Sequence, residues 1–168
     1  ERAEQLLLDA EHLVKDCTDY YGIARIWEKL FKKTAKAEEL IGMSEGIAGE
    51  MYDWITIADA WYEILGDKDQ AKDYLKIAEG EAANSTDWRF LGERWIKTWD
   101  DQERSLACFQ KAEDLAESHL DWRSLGEAWL ECSGDEKKAH DAFIRAEKTA
   151  ADGLDWLFLA EGWKRELN

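Results

Sequence analysis

The sequence repeats one stretch above all others: Asp121-Trp122-Arg123-Ser124-Leu125-Gly126-Glu127-Ala128-Trp129. Related copies are DWITIADAW from Asp53, DWRFLGERW from Asp87 and DWLFLAEGW from Asp155, and a weaker copy, DYYGIARIW, begins at Asp19. The leading aspartates at 19, 53, 87, 121 and 155 are evenly spaced, and no gap is needed to align the copies. A fixed period of this size, between about 20 and 50 residues, is typical of solenoids, propellers and other arrays.

The copy that begins at Asp53 predicts a helical hairpin. Its large and small apolar residues recur at helical spacing, namely Trp54, Ile57, Ala58, Trp61 and Leu65. Asp53 is predicted to be the N-cap of this helix, and Gly66 is predicted to close it in a left-handed conformation. Asp67 then caps a second helix with Gln70 in capping-box position. The apolar stripe of that second helix is Ala71, Tyr74, Leu75, Ala78 and Ala82.

Later copies follow the same pattern, so the chain divides into repeats. The predicted full repeats are 19–52, 53–86, 87–120 and 121–154, with a leading half repeat over 1–18 and a trailing half repeat over 155–168. The leading half matches the second helix of a repeat, because Ala3, Ala37 and Ala71 are separated by the same interval as the aspartates. The prediction is about ten helices: one leading helix, four hairpins and one trailing helix.

These residues resemble the tetratricopeptide repeat. The pattern W-x2-L-G-x2-W, followed by Ala, then Phe or Leu four residues on, then Ala three further, is similar to that family, with Trp where Tyr is usual. The second-helix positions lie one residue further along than in the family, and the closing proline is absent, since the chain contains no proline. The resemblance covers the whole chain and implies a single all-α, right-handed solenoid over 1–168.

Composition limits the function classes. The formal net charge is −16, from 38 acidic and 22 basic residues, which argues against nucleic acid as a partner. No apolar run is long enough to span a bilayer, which argues against a membrane. The three cysteines, Cys17, Cys108 and Cys132, include no CxxC pair and favour a reducing cytoplasm.

No catalytic or metal-binding motif emerges. His12, His119 and His140 occupy different register positions and belong to no short ligand motif. We therefore expect no catalytic residue, no metal site and no cofactor.

Charged residues recur in two acidic columns and one basic cluster. The first column is Asp59, Glu93, Glu127 and Glu161, and the second is Glu11, Glu45, Glu79, Glu113 and Glu147. Each could form a solvated or ion-paired helix face, or could contact a ligand. The basic cluster is Arg25, Lys29, Lys32, Lys33 and Lys36, and it is either a solvated helix end or a docking point for an acidic neighbour.

The family resemblance implies that first helices line a concave, peptide-binding groove. The residues carried over to that groove are Tyr21, Ile55, Arg89, Arg123 and Leu157; Arg25, Asp59, Glu93, Glu127 and Glu161; Tyr62, Ile96, Leu130 and Lys164; and, beside them, Lys29, Glu63, Lys97, Glu131 and Arg165. Acids dominate the middle column, so a clamp for a terminal carboxylate is not expected. The implied ligand is a basic or mixed-charge peptide or protein segment.

The sequence supports two hypotheses of function. The first is a non-catalytic protein–protein interaction scaffold that binds a protein segment in its groove. The alternative is a regulatory or assembly arm excised from a larger multidomain protein, with end-to-end association or self-association through its uncapped terminal helices. The half repeats at both ends and the apolar residues of the last helix favour this alternative.

Overall fold

The computed structural model describes the backbone of residues 1–166 and the side chains of residues 1–164. The last two residues of the predicted half repeat 155–168 and the side chain of Arg165 lie outside this description. The regular elements within residues 1–166 are ten α-helices and two π-helical turns, so the all-α prediction is confirmed for that part of the chain.

The helices belong to two compact units, with the boundary between Ala82 and Ala83. Unit 1 contains α1 (Arg2–Glu11), α2 (Cys17–Phe31), α3 (Thr34–Glu45), α4 (Met51–Ala60) and α5 (Lys68–Glu81). Unit 2 contains α6 (Ser85–Trp99), α7 (Gln102–Leu115), α8 (His119–Ala128), α9 (Glu136–Thr149) and α10 (Gly153–Glu166). A π-helical turn extends α4 over Trp61–Leu65 and α8 over Trp129–Ser133.

The aspartate of the repeated phrase lies inside the first turn of its helix, so the prediction of Asp53 as an N-cap is wrong. Helix α4 begins after Glu50, and Asp53 is the third residue of its first turn. Its carboxylate accepts hydrogen bonds from the backbone N–H groups of Gly49 at 3.0 Å and Glu50 at 3.1 Å. Asp121 accepts in the same way from the Ser118 N–H at 3.0 Å. These carboxylates satisfy N–H groups at the helix start and stabilise its positive end.

The hairpin turns agree with the prediction. Gly66 adopts φ 73° and Gly134 adopts φ 66°, both left-handed, as expected for residues that close a helix. Lys32 and Asp100 occupy the same register position and also have positive φ, at 54° and 53°. Asp67 caps α5 by accepting a hydrogen bond from the Gln70 N–H at 3.0 Å. The turn between paired helices is two residues long in each of the four hairpins.

Small residues let the paired helices approach closely. Gly92 in α6 faces the ring of Phe109 in α7, and Gly126 in α8 faces the ring of Phe143 in α9. Both phenylalanines are fully buried. A side chain at either glycine would occupy the volume of the ring, so the small residue sets the distance between the helices.

Within each unit, first helices pack side by side. In unit 1, α2 contacts α4, and each pairs with its own second helix. In unit 2, α8 lies between α6 and α10, while α7 and α9 pair with α6 and α8. This arrangement places the first-helix residues of successive repeats next to one another within a unit.

Candidate functional site

The residues assigned to the groove lie on first helices, and most of them reach the surface. The half-buried members are Tyr21, Asp59, Tyr62, Arg89, Glu93, Ile96, Arg123, Glu127 and Leu130. The exposed members are Arg25, Lys29, Glu63, Lys97, Glu131, Leu157, Glu161 and Lys164.

Ile55 is the exception among these residues, because it does not reach the surface. Its side chain is only 3% exposed. Arg89 and Arg123 occupy the same register position and are half-buried. An aliphatic side chain has no polar end that must reach water, so it enters the core where an arginine does not.

In unit 1 the predicted residues converge between α2 and the end of α4. The Tyr21 hydroxyl donates a hydrogen bond to Glu63 Oε2 at 2.6 Å, and the Arg25 guanidinium lies 5.5 Å from the centre of the Tyr21 ring. Burial raises the pKa of Tyr21, and the Glu63 carboxylate raises it further by accepting a hydrogen bond from the hydroxyl and by its negative charge. Tyr21 is therefore neutral and acts as a donor at physiological pH.

A shallow depression of about 370 Å³ adjoins this cluster. Its lining residues are Arg25, Glu28, Lys29, Lys32, Glu63 and Ile64. Cationic groups outnumber carboxylates among them, in contrast to the acidic balance of the whole chain.

In unit 2 the predicted residues form a line of alternating charge along α6. Arg89 forms an ion pair with Glu93 one helical turn later, and Lys97 Nζ pairs with the other carboxylate oxygen of Glu93 at 3.1 Å. Burial is the largest single influence and disfavours the charged form of Lys97, but the hydrogen bond to Glu93 and the nearby negative charges of Glu93 and Glu131 together raise the pKa of the ammonium group. Glu93 is thus neutralised from both sides within its own helix.

The neighbouring helix α8 repeats this pairing and connects it to an aromatic ring. Arg123 Nη1 lies 3.8 Å from Glu127 Oε1, and its guanidinium lies 4.9 Å from the centre of the Phe158 ring in α10. The Cys132 thiol follows in the π-helical turn of α8. Burial raises the pKa of Cys132, while the nearby Lys97 and Glu93 charges oppose each other.

The first acidic column therefore carries less net negative charge than the sequence alone suggested. Glu93 and Glu127 each pair with an arginine four residues earlier in the same helix. Because Glu93 and Glu127 each lie beside a cation, this surface of unit 2 presents both signs of charge.

Two members of the second acidic column hold neighbouring helices together by ion pairs. Glu11 pairs with Lys36 Nζ at 3.0 Å, and Glu113 pairs with Lys138 Nζ at 2.9 Å, at the same spacing in two repeats. Glu11 also accepts a hydrogen bond from Trp27 Nε1 at 2.8 Å. These contacts confirm the ion-paired, structural interpretation for Glu11 and Glu113.

Part of the basic cluster docks onto an acidic neighbour, as one of the two interpretations predicted. Lys33 Nζ lies 2.8 Å from Glu4, and Lys36 Nζ contacts Glu11, so both lysines hold α1 against the α2–α3 hairpin. The docking partner is a helix of the chain itself.

One polar pair was missed by the sequence analysis. His119 Nε2 at the start of α8 lies 2.7 Å from Asp155 Oδ1 in the first turn of α10. Hydrogen bonds from the Ala151 and Asp152 N–H groups and the charge of His119 hold the pKa of Asp155 below its usual value, against a smaller opposing effect of burial. The two residues belong to different repeats and different register positions, so no local motif could have indicated the contact.

Other site chemistry is limited to what the described residues offer. Among them, no group of three or more His, Cys, Asp or Glu side chains is arranged to hold a metal ion. No described helix combines the length and the apolar character needed to cross a membrane.

Comparisons with known proteins give no assignment. The chain matches no family model, and no curated protein or solved structure is significantly similar to it. The resemblance to tetratricopeptide repeats therefore rests on the chain's own residue pattern and repeat period.

Proposed function

We propose that this chain is a non-catalytic protein-interaction scaffold whose hairpins form a right-handed, tetratricopeptide-like solenoid. We further propose that the surface of α6, α8 and α10 binds a protein segment of mixed charge. The observation that supports this proposal is the alternation of cations and carboxylates on neighbouring first helices, from Arg89 through Glu93 to Lys97, with Arg123 and Glu127 beside them.

The charge pattern favours a mixed-charge ligand over a purely basic one. Arg89, Glu93, Arg123 and Glu127 are half-buried and already paired, so a ligand charge that displaces one partner must pair with the group that is left. A ligand ammonium group would pair with Glu127, and a ligand carboxylate would pair with Arg89 or Lys97. A uniformly basic segment would be repelled by the three cations of this surface.

An apolar anchor adjoins the charged residues. Leu157 and Phe158 of α10 are exposed, and Phe158 lies under the Arg123 guanidinium. Aromatic and arginine side chains supply much of the binding energy in protein interfaces. A ligand with a leucine or aromatic residue between its charges would use both features.

Fluorescence anisotropy with labelled peptides tests this proposal. Four peptides have the same length and the same leucine content and differ in the remaining positions. These positions hold lysine only, glutamate only, alternating lysine and glutamate, or serine only. We expect the alternating peptide to bind most tightly, and its affinity to fall as salt screens the charges. Equal binding of all peptides, or no binding of the alternating peptide, would contradict the proposed surface.

A charge exchange locates the binding surface. The double variant Arg89→Glu/Glu93→Arg keeps an intrahelical pair but reverses its polarity, so we expect the alternating peptide to bind about tenfold more weakly, or by about 1.4 kcal/mol. The matched control is Asp73→Lys/Lys76→Asp, which reverses an exposed pair in α5. A loss of affinity in the control as large as in the α6 variant would place binding elsewhere.

The cytoplasmic location is part of the same proposal. It is supported by Cys17, Cys108 and Cys132, none of which forms a disulfide bond.

A further inference from the structure

The shallow depression of unit 1 lies between α2 and the π-helical turn that extends α4. Arg25 and Lys29 come from consecutive turns of α2, and Lys32 is the left-handed C-cap residue of that helix. The π-helical turn contributes Glu63 and the half-buried Ile64. The depression therefore combines three cations with one apolar side chain, and all of its lining residues belong to unit 1.

The three cations of the depression differ from the rest of the basic cluster. The two other lysines of that cluster are held in ion pairs with α1. Within the part of the chain that the structure describes, Arg25, Lys29 and Lys32 form no ion pair with a carboxylate. All three side chains are exposed. Their charges are therefore accessible to a ligand.

The two carboxylates of the depression are hydrogen-bonded to hydroxyl groups. Glu28 Oε2 accepts a hydrogen bond from Thr34 Oγ1 at 2.7 Å, and Glu63 Oε2 accepts one from the Tyr21 hydroxyl at 2.6 Å. The Tyr21 ring, which this bond holds in place, lies 5.5 Å from the Arg25 guanidinium and attracts it by a cation–π interaction. This contact uses the face of the guanidinium, so its N–H donors remain available to a ligand.

The charge at the Arg25 position is opposite to that of the other repeats. The corresponding residues there are all acids, namely Asp59, Glu93, Glu127 and Glu161. Cations stabilise the C-terminal end of a helix, but this effect is confined to about the last turn. Helix α2 ends at Phe31, so the effect accounts for Lys29 and not for Arg25, which lies more than one turn earlier.

The spacing of the cations matches an extended segment with acids at alternate positions. Along α2, Arg25 and Lys29 are separated by about 6 Å of helix axis, since the rise is about 1.5 Å per residue. In an extended segment, alternate side chains point to the same side and lie about 6.6 Å apart. Two carboxylates at this spacing can contact Arg25 and Lys29 together, and the planar guanidinium can hold one of them by two hydrogen bonds.

We propose that this depression binds an acidic segment of a protein partner, in which glutamate or aspartate occupies alternate positions of an extended chain. Arg25 and Lys29 pair with two successive carboxylates, and Lys32 adds positive charge beside them. At about 0.1 M salt the Debye length is about 10 Å, so the segment is attracted by these cations and largely screened from the distant carboxylates of the chain. The proposal concerns unit 1 and does not rest on the mixed-charge surface proposed for unit 2.

Fluorescence anisotropy of the full chain with three labelled peptides tests the proposal in about 0.1 M salt. Each peptide has serine at every second position, and the positions between hold glutamate, glutamine or lysine. We expect the glutamate peptide to bind at least about tenfold more tightly than the other two. Equal affinity for the glutamate and glutamine peptides, or no binding of the glutamate peptide, would overturn the proposal.

Inorganic phosphate separates an acidic segment from a phosphate group as the ligand. Phosphate and sodium chloride are added to the complex at equal ionic strength, and both should release the glutamate peptide to the same extent. Release by phosphate at a concentration where chloride has no effect would overturn the choice of a carboxylate segment and assign the depression to a phosphate group.

The variant Arg25→Glu locates the binding site. It gives this repeat the type of residue that the other repeats carry at the same position, so we expect α2 to form, which far-UV circular dichroism verifies. Affinity for the glutamate peptide should fall at least about tenfold. Lys76→Glu, at an exposed position in α5, changes the net charge equally and is the matched control. A loss of affinity in this control as large as in Arg25→Glu would overturn the assignment to the depression.

Urea unfolding separates ligand binding by Lys29 from a role at the helix end. We expect Lys29→Gln to weaken binding of the glutamate peptide. A variant with a lower urea midpoint and unchanged affinity would show that Lys29 only stabilises the end of α2, and would overturn the proposed pairing of two carboxylates with Arg25 and Lys29.

Discussion

Replacement of Gly92 by alanine tests how closely the helices of a hairpin approach. An added Cβ would lie 2.5 Å from Phe109 Cε1, 2.6 Å from Phe109 Cδ1 and 3.1 Å from the backbone oxygen of Ser105. Phe109 is fully buried and cannot swing aside, and the Ser105 oxygen belongs to the α7 backbone. The helices must therefore separate, or the ring must leave its preferred rotamer.

Two opposing effects determine how much Gly92→Ala changes the free energy of unfolding. Overpacking a core costs about 1–3 kcal/mol, whereas alanine in a helix interior is more favourable than glycine by about 0.8–1 kcal/mol. We expect Gly92→Ala to lower the free energy of unfolding by about 1 kcal/mol. Gly42→Ala is the matched control, because nothing lies within 4 Å of its added Cβ in α3. The control should gain about 0.5–1 kcal/mol.

The repeats themselves suggest a compensating change. Alanine occurs at the Gly92 position where the residue half a period later is smaller than phenylalanine, as in Ala58 with Leu75. Phe109→Leu alone should cost about 1 kcal/mol, but Gly92→Ala/Phe109→Leu should be close to the wild type in stability. The coupling energy would then be about 2 kcal/mol. Urea unfolding followed by circular dichroism measures it, and additive effects of the two substitutions would refute the proposed contact.

Three further predictions concern a turn, a carboxylate and the thiols. Asp100→Gly should stabilise the chain by about 0.5–1 kcal/mol in thermal unfolding, because glycine adopts a positive φ without steric cost; lower stability would contradict this. Asp155 stabilises the folded chain above its unfolded pKa of 3.8, and this contribution is lost as the pH falls through the lower folded value. The urea midpoint of Asp155→Asn should therefore differ from the wild type at neutral pH and approach it in acid; a constant difference would exclude this role. Burial raises the pKa of Cys17 to about 12, and Cys108 is also buried. Peptide mapping after alkylation of the folded protein should therefore find Cys132 modified first. Faster labelling of Cys17 or Cys108 would contradict this prediction.

The sequence predicted the repeated hairpin because its signals are local. Apolar residues three and four positions apart define a helix face, and Gly66 followed by Asp67 defines a turn. Both features are present in the structure. The predicted start of each first helix lies too far along the sequence, because aspartate is favoured both at the N-cap and within the first turn. The actual N-caps Asp16, Glu50, Asn84 and Ser118 keep the period but differ in type, so they were harder to recognise.

The candidate site was less predictable than the fold. Register placed Arg89, Glu93 and Lys97 on a first helix, but only the packed structure showed how these charges pair. It also showed that Ile55 is buried at a position where other repeats keep an arginine. The chemistry of a register position depends on the length and polarity of its own side chain and of its neighbours.

By itself, the sequence determined that the described chain is all-helical, where hairpins turn, and which faces are apolar. These properties depend on residues within about one helical turn of each other. Only the tertiary structure decided that Glu11 pairs with Lys36, that His119 meets Asp155, and that Trp156 remains exposed. Each of these outcomes depends on which helix lies opposite, and that helix is set by packing between distant segments.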